Sequence, residues 1–150
     1  MSRLLMLVAA TAAVVLAAAG SVAIAQTSGA EEFSITLAGP GGTGTADLKL
    51  NPGGKVCYAI EVTLTTAGDV PAEPPGSGLG NAHIHVLPSG GIVVDLESTF
   101  TSLGGGMFVA AGCVRADRDV VRDILANPDD YYVNVHSVSF PDGAVIGTLA

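Results

Sequence analysis

Between Val56 and Thr65 every second residue is apolar: Val56, Tyr58, Ile60, Val62 and Leu64 share one side, while Cys57, Glu61 and Thr63 share the other. Side chains alternate across a strand but recur every 3.6 residues in a helix, so this run buries a single face only as a β-strand. The same period governs Phe33 to Leu37, and Thr43 to Leu50 with Ala46, Leu48 and Leu50 on one side. Pro40-Gly41-Gly42 and Asn51-Pro52-Gly53-Gly54 stand between the runs. They supply the fixed φ of proline and the positive φ of glycine that chain reversals need. One face of each strand packs into a core and the other sees water, the pattern of an antiparallel sheet.

Farther along, Ala67 to Gly80 holds three prolines and four glycines without periodicity and reads as a long surface loop. Short strands follow at Asn81 to Leu87, Ile92 to Leu96 and Met107 to Val114. Asp117 is placed to cap one short helix reaching Ala126, with Val120, Val121, Ile124 and Leu125 as its apolar stripe and Pro128 just past its end. The segment from Asn127 to Leu149 then reads as a hairpin. Its strand Tyr131 to Ser137 is rich in β-branched and aromatic residues and is followed by a Pro141-Asp142-Gly143 turn. About eight short strands with one helix imply an all-β fold, an antiparallel Greek-key sandwich or flattened barrel.

The first 25 residues have the form of a secretory leader. Arg3 precedes an apolar run from Leu4 to about Ala18, and Ala23-Ile24-Ala25 is a small-x-small cleavage site before Gln26. Cleavage between Ala25 and Gln26 would leave a flexible mature N-terminus over residues 26–32 and one domain over 33–150. The mature chain would keep 5 basic side chains against 14 acidic ones. Such an acidic surface repels nucleic acid and anionic membrane alike. The expected location is outside the cell, or the periplasm or cell envelope, with no membrane association after cleavage. Cys57 and Cys113 are the only cysteines. An even pair in an exported chain most simply forms one disulfide, two free thiols or a metal role being the alternatives.

Only three histidines occur, His83 and His85 in Ala-His-Ile-His and His136 in Tyr-Tyr-Val-Asn-Val-His. On a strand, His83 and His85 point to the same side. Since Ile84, Val86, Val133 and Val135 belong to the core face, all three histidines are expected on outward faces. Neutral imidazoles suit copper, zinc or nickel, and three of them leave open coordination positions. Hydrogen bonding to nearby backbone and to Asn134, stitching two strands together, is the competing role. Tyr58, Tyr131 and Tyr132 read as packing and Asp129-Asp130 as a solvated turn.

Ala-His-Ile-His, Tyr-Tyr-Val-Asn-Val-His and Phe-Pro-Asp-Gly together resemble the CHRD domain, a module named from chordin and found also in secreted microbial proteins. In weaker form the likeness runs from Phe33 to Leu149 through Val-Cys-Tyr at 56–58 and Gly-Cys-Val at 112–114. Two departures stand out. Val86-Leu87-Pro88 replaces a small glycine-containing loop, and Ile146-Gly147-Thr148-Leu149 replaces a closing Arg-Gly-Gln-Leu-like motif. The resemblance implies a fold and an extracellular location but no settled biochemical activity. His83, His85 and His136 also resemble the copper ligands of copper-zinc superoxide dismutases, without that family's bridging histidine, zinc loop or guiding arginine.

Two functions follow as expectations. One is a non-enzymatic extracellular binding or structural module for a protein or surface ligand. The other is a redox or binding protein holding one copper or zinc ion on the three histidines. The sequence has no Gly-x-Ser-x-Gly elbow, phosphate loop or His-Glu-x-x-His, so the balance leans away from an enzyme.

Overall fold

A computed structural model describes residues 29–150. The expected leader, with its expected cleavage between Ala25 and Gln26, lies outside the described residues. Among the described residues nine strands appear in chain order: β1 (Glu31–Gly39), β2 (Gly42–Asn51), β3 (Lys55–Leu64), β4 (Ala82–Val86), β5 (Gly91–Asp95), β6 (Thr101–Gly104), β7 (Met107–Arg115), β8 (Tyr131–Val135) and β9 (Val145–Thr148). One helix, α1 (Arg118–Ala126), and a single 3-10 turn (Pro128–Asp130) separate β7 from β8. All pairings are antiparallel, in the order β5-β4-β8-β9-β1-β2-β3-β7-β6. β1, β2 and β3 form a meander and β9 returns to lie beside β1, which is the Greek-key order.

The sheet cannot be flat. Nine strands about 4.8 Å apart would set the two edges nearly 40 Å from each other. Yet edge strands β5 and β6 are joined by residues 96–100 alone. Six Cα steps reach about 20 Å at most, so the sheet curls into a half-barrel. Its concave side is the core, where Leu37, Leu48, Leu50, Ile60, Val62, Ile84 and Val133 are fully buried and Val121 and Ile124 of α1 join them. The Asp117 carboxylate accepts from the amides of Asp119 and Val120, supplying the cap expected at the start of α1.

Two details depart from the sequence reading. β1 starts at Glu31 because Leu50 and Lys49 on β2 offer partners to Glu31 and Glu32, so these two residues are ordered in the sheet. β6 was not expected: all four of its residues are exposed, and an edge strand packed on neither face carries no alternation. The expected disulfide is formed: Cys57 and Cys113 face each other directly across β3 and β7.

Candidate metal centre

The outer face of the β4–β8 half is ruled by ladder rows. Asp95, His83, Asn134 and Ile146 stand side by side in one row, and Ile92, His85, Tyr132 and Thr148 in the next. His136 continues β8 on the same side, and its amide donates to the carbonyl of Asn81 at 2.9 Å. The alternation is as expected, with Ile84, Val133 and Val135 in the core, but the exposure is not. His83 is 0%, His85 6% and His136 4% exposed. Outward from the sheet here does not mean toward water. The Pro141–Gly143 turn folds back on His136, the turn after Leu87 folds back on His85, and Gly80 and Glu97 close around Asp95 beside His83.

The loop at 67–80 contributes to this cover. Pro71 bridges to Ser137, and the Ala72 and Val138 amides donate to the carbonyls of His136 and Val70. Asp69, buried, clamps the arrangement by accepting from Ser137 Oγ (2.7 Å) and from the amides of Ser139 (2.9 Å) and Val70 (3.1 Å). Burial pushes its carboxyl up, but those hydrogen bonds outweigh burial and hold it below the ordinary value.

Two proton positions follow from simple donor counting. A carbonyl only accepts, so His85 Nδ1–H donates to Gly90 O at 2.8 Å and His136 Nδ1–H donates to Pro141 O at 2.8 Å. In the neutral ring each Nε2 is then a bare lone pair. His85 Nε2 is buried without a partner, while His136 Nε2 faces His83 Nδ1 at 3.0 Å. On the far side, His83 Nε2 lies 3.7 Å from the Asp95 carboxylate, too far for a hydrogen bond, and is also unpartnered.

Neither neutral tautomer satisfies His83. With its proton on Nδ1 it donates to His136 but turns a lone pair toward a carboxylate. With the proton on Nε2 it faces Asp95 correctly but opposes two lone pairs at 3.0 Å. A cation among His83 Nδ1, His85 Nε2 and His136 Nε2 removes the conflict. Nitrogen ligands about 2.0 Å from one ion lie about 3.5 Å apart in a trigonal set. One ring nitrogen from each of the three histidines already falls within 4.8 Å of the other two, so adjustments of about 1 Å suffice. Burial, the nearby His136 and His85 together push His83 down to about 4 against the opposing pull of Asp95, and burial likewise lowers His136. Both rings are therefore neutral near pH 7, the ligating state.

A family model for the CHRD domain matches residues 23–149. The chain belongs to the CHRD family. Neither a curated protein nor a solved structure matches it. Within this CHRD domain the two motifs that carry the resemblance, Ala-His-Ile-His and Tyr-Tyr-Val-Asn-Val-His, are the adjacent strands β4 and β8, and their histidines meet. The expected hydrogen bond from histidine to Asn134 is absent. Asn134 Nδ2 donates to Asp142 O at 3.0 Å instead, in space left by Gly143, where a Cβ would lie 2.5 Å from Asn134 Oδ1. Tyr132 packs as expected, stacked on His85 with ring centres 5.0 Å apart. Asp129 and Asp130 form the exposed 3-10 turn.

The sequence reading missed Asp95 and Asp69. Asp95 depends on a β-bulge: Val86 pairs with Gly91 and His85 with Ile92, but Ile84 pairs with Val94, leaving Val93 extra. Unbulged counting would put Val94 opposite His83 and aim Asp95 at the core. The burial cost of that carboxylate was the signal available in the sequence.

Proposed function

We propose that this CHRD protein is exported and that its domain is a binding module holding one copper or zinc ion on His83, His85 and His136. The observation that carries the reading is the proton conflict at His83, together with the unpartnered, buried Nε2 of His85. Buried polar atoms are paired as a rule, and a cluster with two orphans on neighbouring rings calls for a missing partner. Three neutral imidazoles without a thiolate or carboxylate ligand favour copper, and then zinc, over calcium or magnesium. The carbonyls of Gly90 and Pro141 fix two rings, as partners of metal-bound imidazoles do. The likeness to the superoxide dismutase copper ligands agrees with this choice but rests on these three residues alone. Because the histidines are almost wholly covered, the ion serves binding or electron exchange rather than turnover of a large substrate.

The leader pattern, the disulfide and CHRD membership support export, and no described helix is long and apolar enough to cross a membrane. An extracellular protein or surface ligand is the expected partner. Intact mass of protein from the medium or envelope should begin at Gln26; a species keeping Met1 to Ala25 refutes cleavage.

For the metal, chelator-stripped mature protein should take up one equivalent of Cu(II) or Zn(II) at micromolar concentration, and His85→Ala should take up none. Purely structural histidines, the second reading, find support in the direct contact between His83 and His136 at 3.0 Å. A wild-type melt unmoved by copper and zinc, with no metal retained after gel filtration, decides for that second reading.

A further inference from the structure

We infer that Asp95 is the positioning residue of the centre: it selects the tautomer of His83 and so decides which nitrogen faces the ion. The inference rests on the metal reading and goes beyond it, because Asp95 is not itself a ligand. Its Oδ1 accepts from the amides of Glu97 (2.8 Å) and Gly80 (3.1 Å), so the carboxylate is anchored by backbone before any ion arrives. That anchored oxygen stands 3.7 Å from His83 Nε2 on the side of the ring away from His136. Closing the gap by about 1 Å makes a charge-assisted hydrogen bond. An Nε2–H donor then satisfies the carboxylate and frees Nδ1 as a lone pair toward His85 and His136.

The fold spends a feature on this placement. The extra residue Val93 shifts the β4–β5 register by one, and only in the shifted register does Asp95 share a row with His83. Bulges re-aim side chains at sites in this way. The result is a mixed set, Nδ1 from His83 and Nε2 from the other two, with a carboxylate behind one ligand. A negative charge there favours the higher oxidation state of a bound redox metal and raises the basicity of the ring it touches.

The test uses the full mature protein with Cu(II) and Zn(II) as probes. Asp95→Asn keeps an oxygen for the Gly80 and Glu97 amides, so the metal-free melt should stay near wild type. Cu(II) affinity, read by competition with a chelator, should fall by about 10- to 100-fold, the usual effect of losing such a partner. The midpoint potential of bound copper should rise, and Asp95→Glu should restore part of both. A measurement on wild type needs no variant: in the Zn(II)-loaded protein, 15N shifts should show His83 protonated at Nε2 and the other two rings at Nδ1. If His83 carries its proton on Nδ1, or if Asp95→Asn binds copper with unchanged affinity and potential, the inference is overturned while the metal site stands. Should wild type bind neither metal, both fall together.

Discussion

The two halves of the curled sheet share one interior but have opposite exteriors. On β1, β2 and β3 burial alternates cleanly, and the outer residues, Ser34, Thr36, Thr45, Asp47 and Glu61 among them, meet water. On β4 the first four residues are all buried, and on β8 all but Tyr132 are. The alternation of chemistry is the same in both halves; the difference is that turns and the 69–72 strap cover the second half. A polar side chain on the open half is free to bond water, whereas on the covered half each polar atom must find a partner inside the protein. The unpartnered nitrogens of His83 and His85 therefore carry information that no exposed threonine could.

The largest effect expected from disturbing this contrast comes from the open half, where the Cys57–Cys113 bridge cross-links β3 to β7 over a sequence separation of 56. Replacing both cysteines by serine should cost about 4 kcal/mol by loop entropy. Chemical denaturation of the double variant measures it. Metal uptake should be unaffected, since the bridge lies in the half without the histidines; loss of binding in a folded variant would show that the halves are coupled.

Acid should act through the covered half. His83 goes from an ordinary 6.5 to about 4 on folding, so above pH 6.5 it is neutral in both states and its surroundings cost nothing. Below 6.5 the unfolded chain takes up a proton that the folded chain refuses, and stability falls until about pH 4, by about 3 kcal/mol at 1.36 kcal/mol per unit. His136 shifts the same way and adds to the fall. Melts of metal-free protein from pH 8 to 4 should decline across that window. His83→Gln should flatten the decline, and a wild-type melt constant over the range would contradict the burial of a neutral ring.

Much of the fold was legible because period-2 alternation is a local signal. Val56 to Leu64 announces both its strand and its inner face, and Asp117 announces α1. The centre was legible as a set, because a His-x-His pair on one strand and a lone histidine on another share a side. Its burial was not, since part of the cover comes from a segment remote in sequence, Asp69 to Ala72 lying against His136 and Ser137. Asp95 was hidden by a one-residue register shift, and Asp69 by a loop without periodicity. What escaped was set by tertiary contacts rather than by any window of adjacent residues.

Single truncations on matching outer faces should separate the halves more finely. Thr45→Ala on β2 removes an exposed hydroxyl and should change stability within about 0.5 kcal/mol. His85→Ala on β4 removes a stacking partner of Tyr132 and leaves Gly90 O without its donor, and should cost about 1 to 3 kcal/mol even without metal. Urea denaturation of both variants with chelator present gives the two numbers. Equal costs would mean that the covered face is no more demanding than the open one.

A small effect, the coupling of an exposed ion pair, is set against a larger one by two contacts of nearly equal length in different surroundings. Lys49 Nζ lies 2.6 Å from Glu32 Oε1 on the open face, with side chains 56% and 71% exposed. Ser137 Oγ lies 2.7 Å from Asp69 Oδ2 in buried surroundings. Distance alone would rank them alike. Solvent screens the first pair, and holding two long side chains together costs entropy, so a double-mutant cycle on Glu32 and Lys49 should give less than about 1 kcal/mol and shrink with added salt. The second contact is charge-assisted and shielded from water, so Asp69→Ala should cost about 1.5 to 3 kcal/mol and barely respond to salt. Hydrogen exchange should then speed up at Val70, Ala72, Val138 and Ser139 before it does so in β1 or β2. An exposed pair as strong as the buried one, or a strap that stays protected without Asp69, would remove the physical basis for separating the two halves.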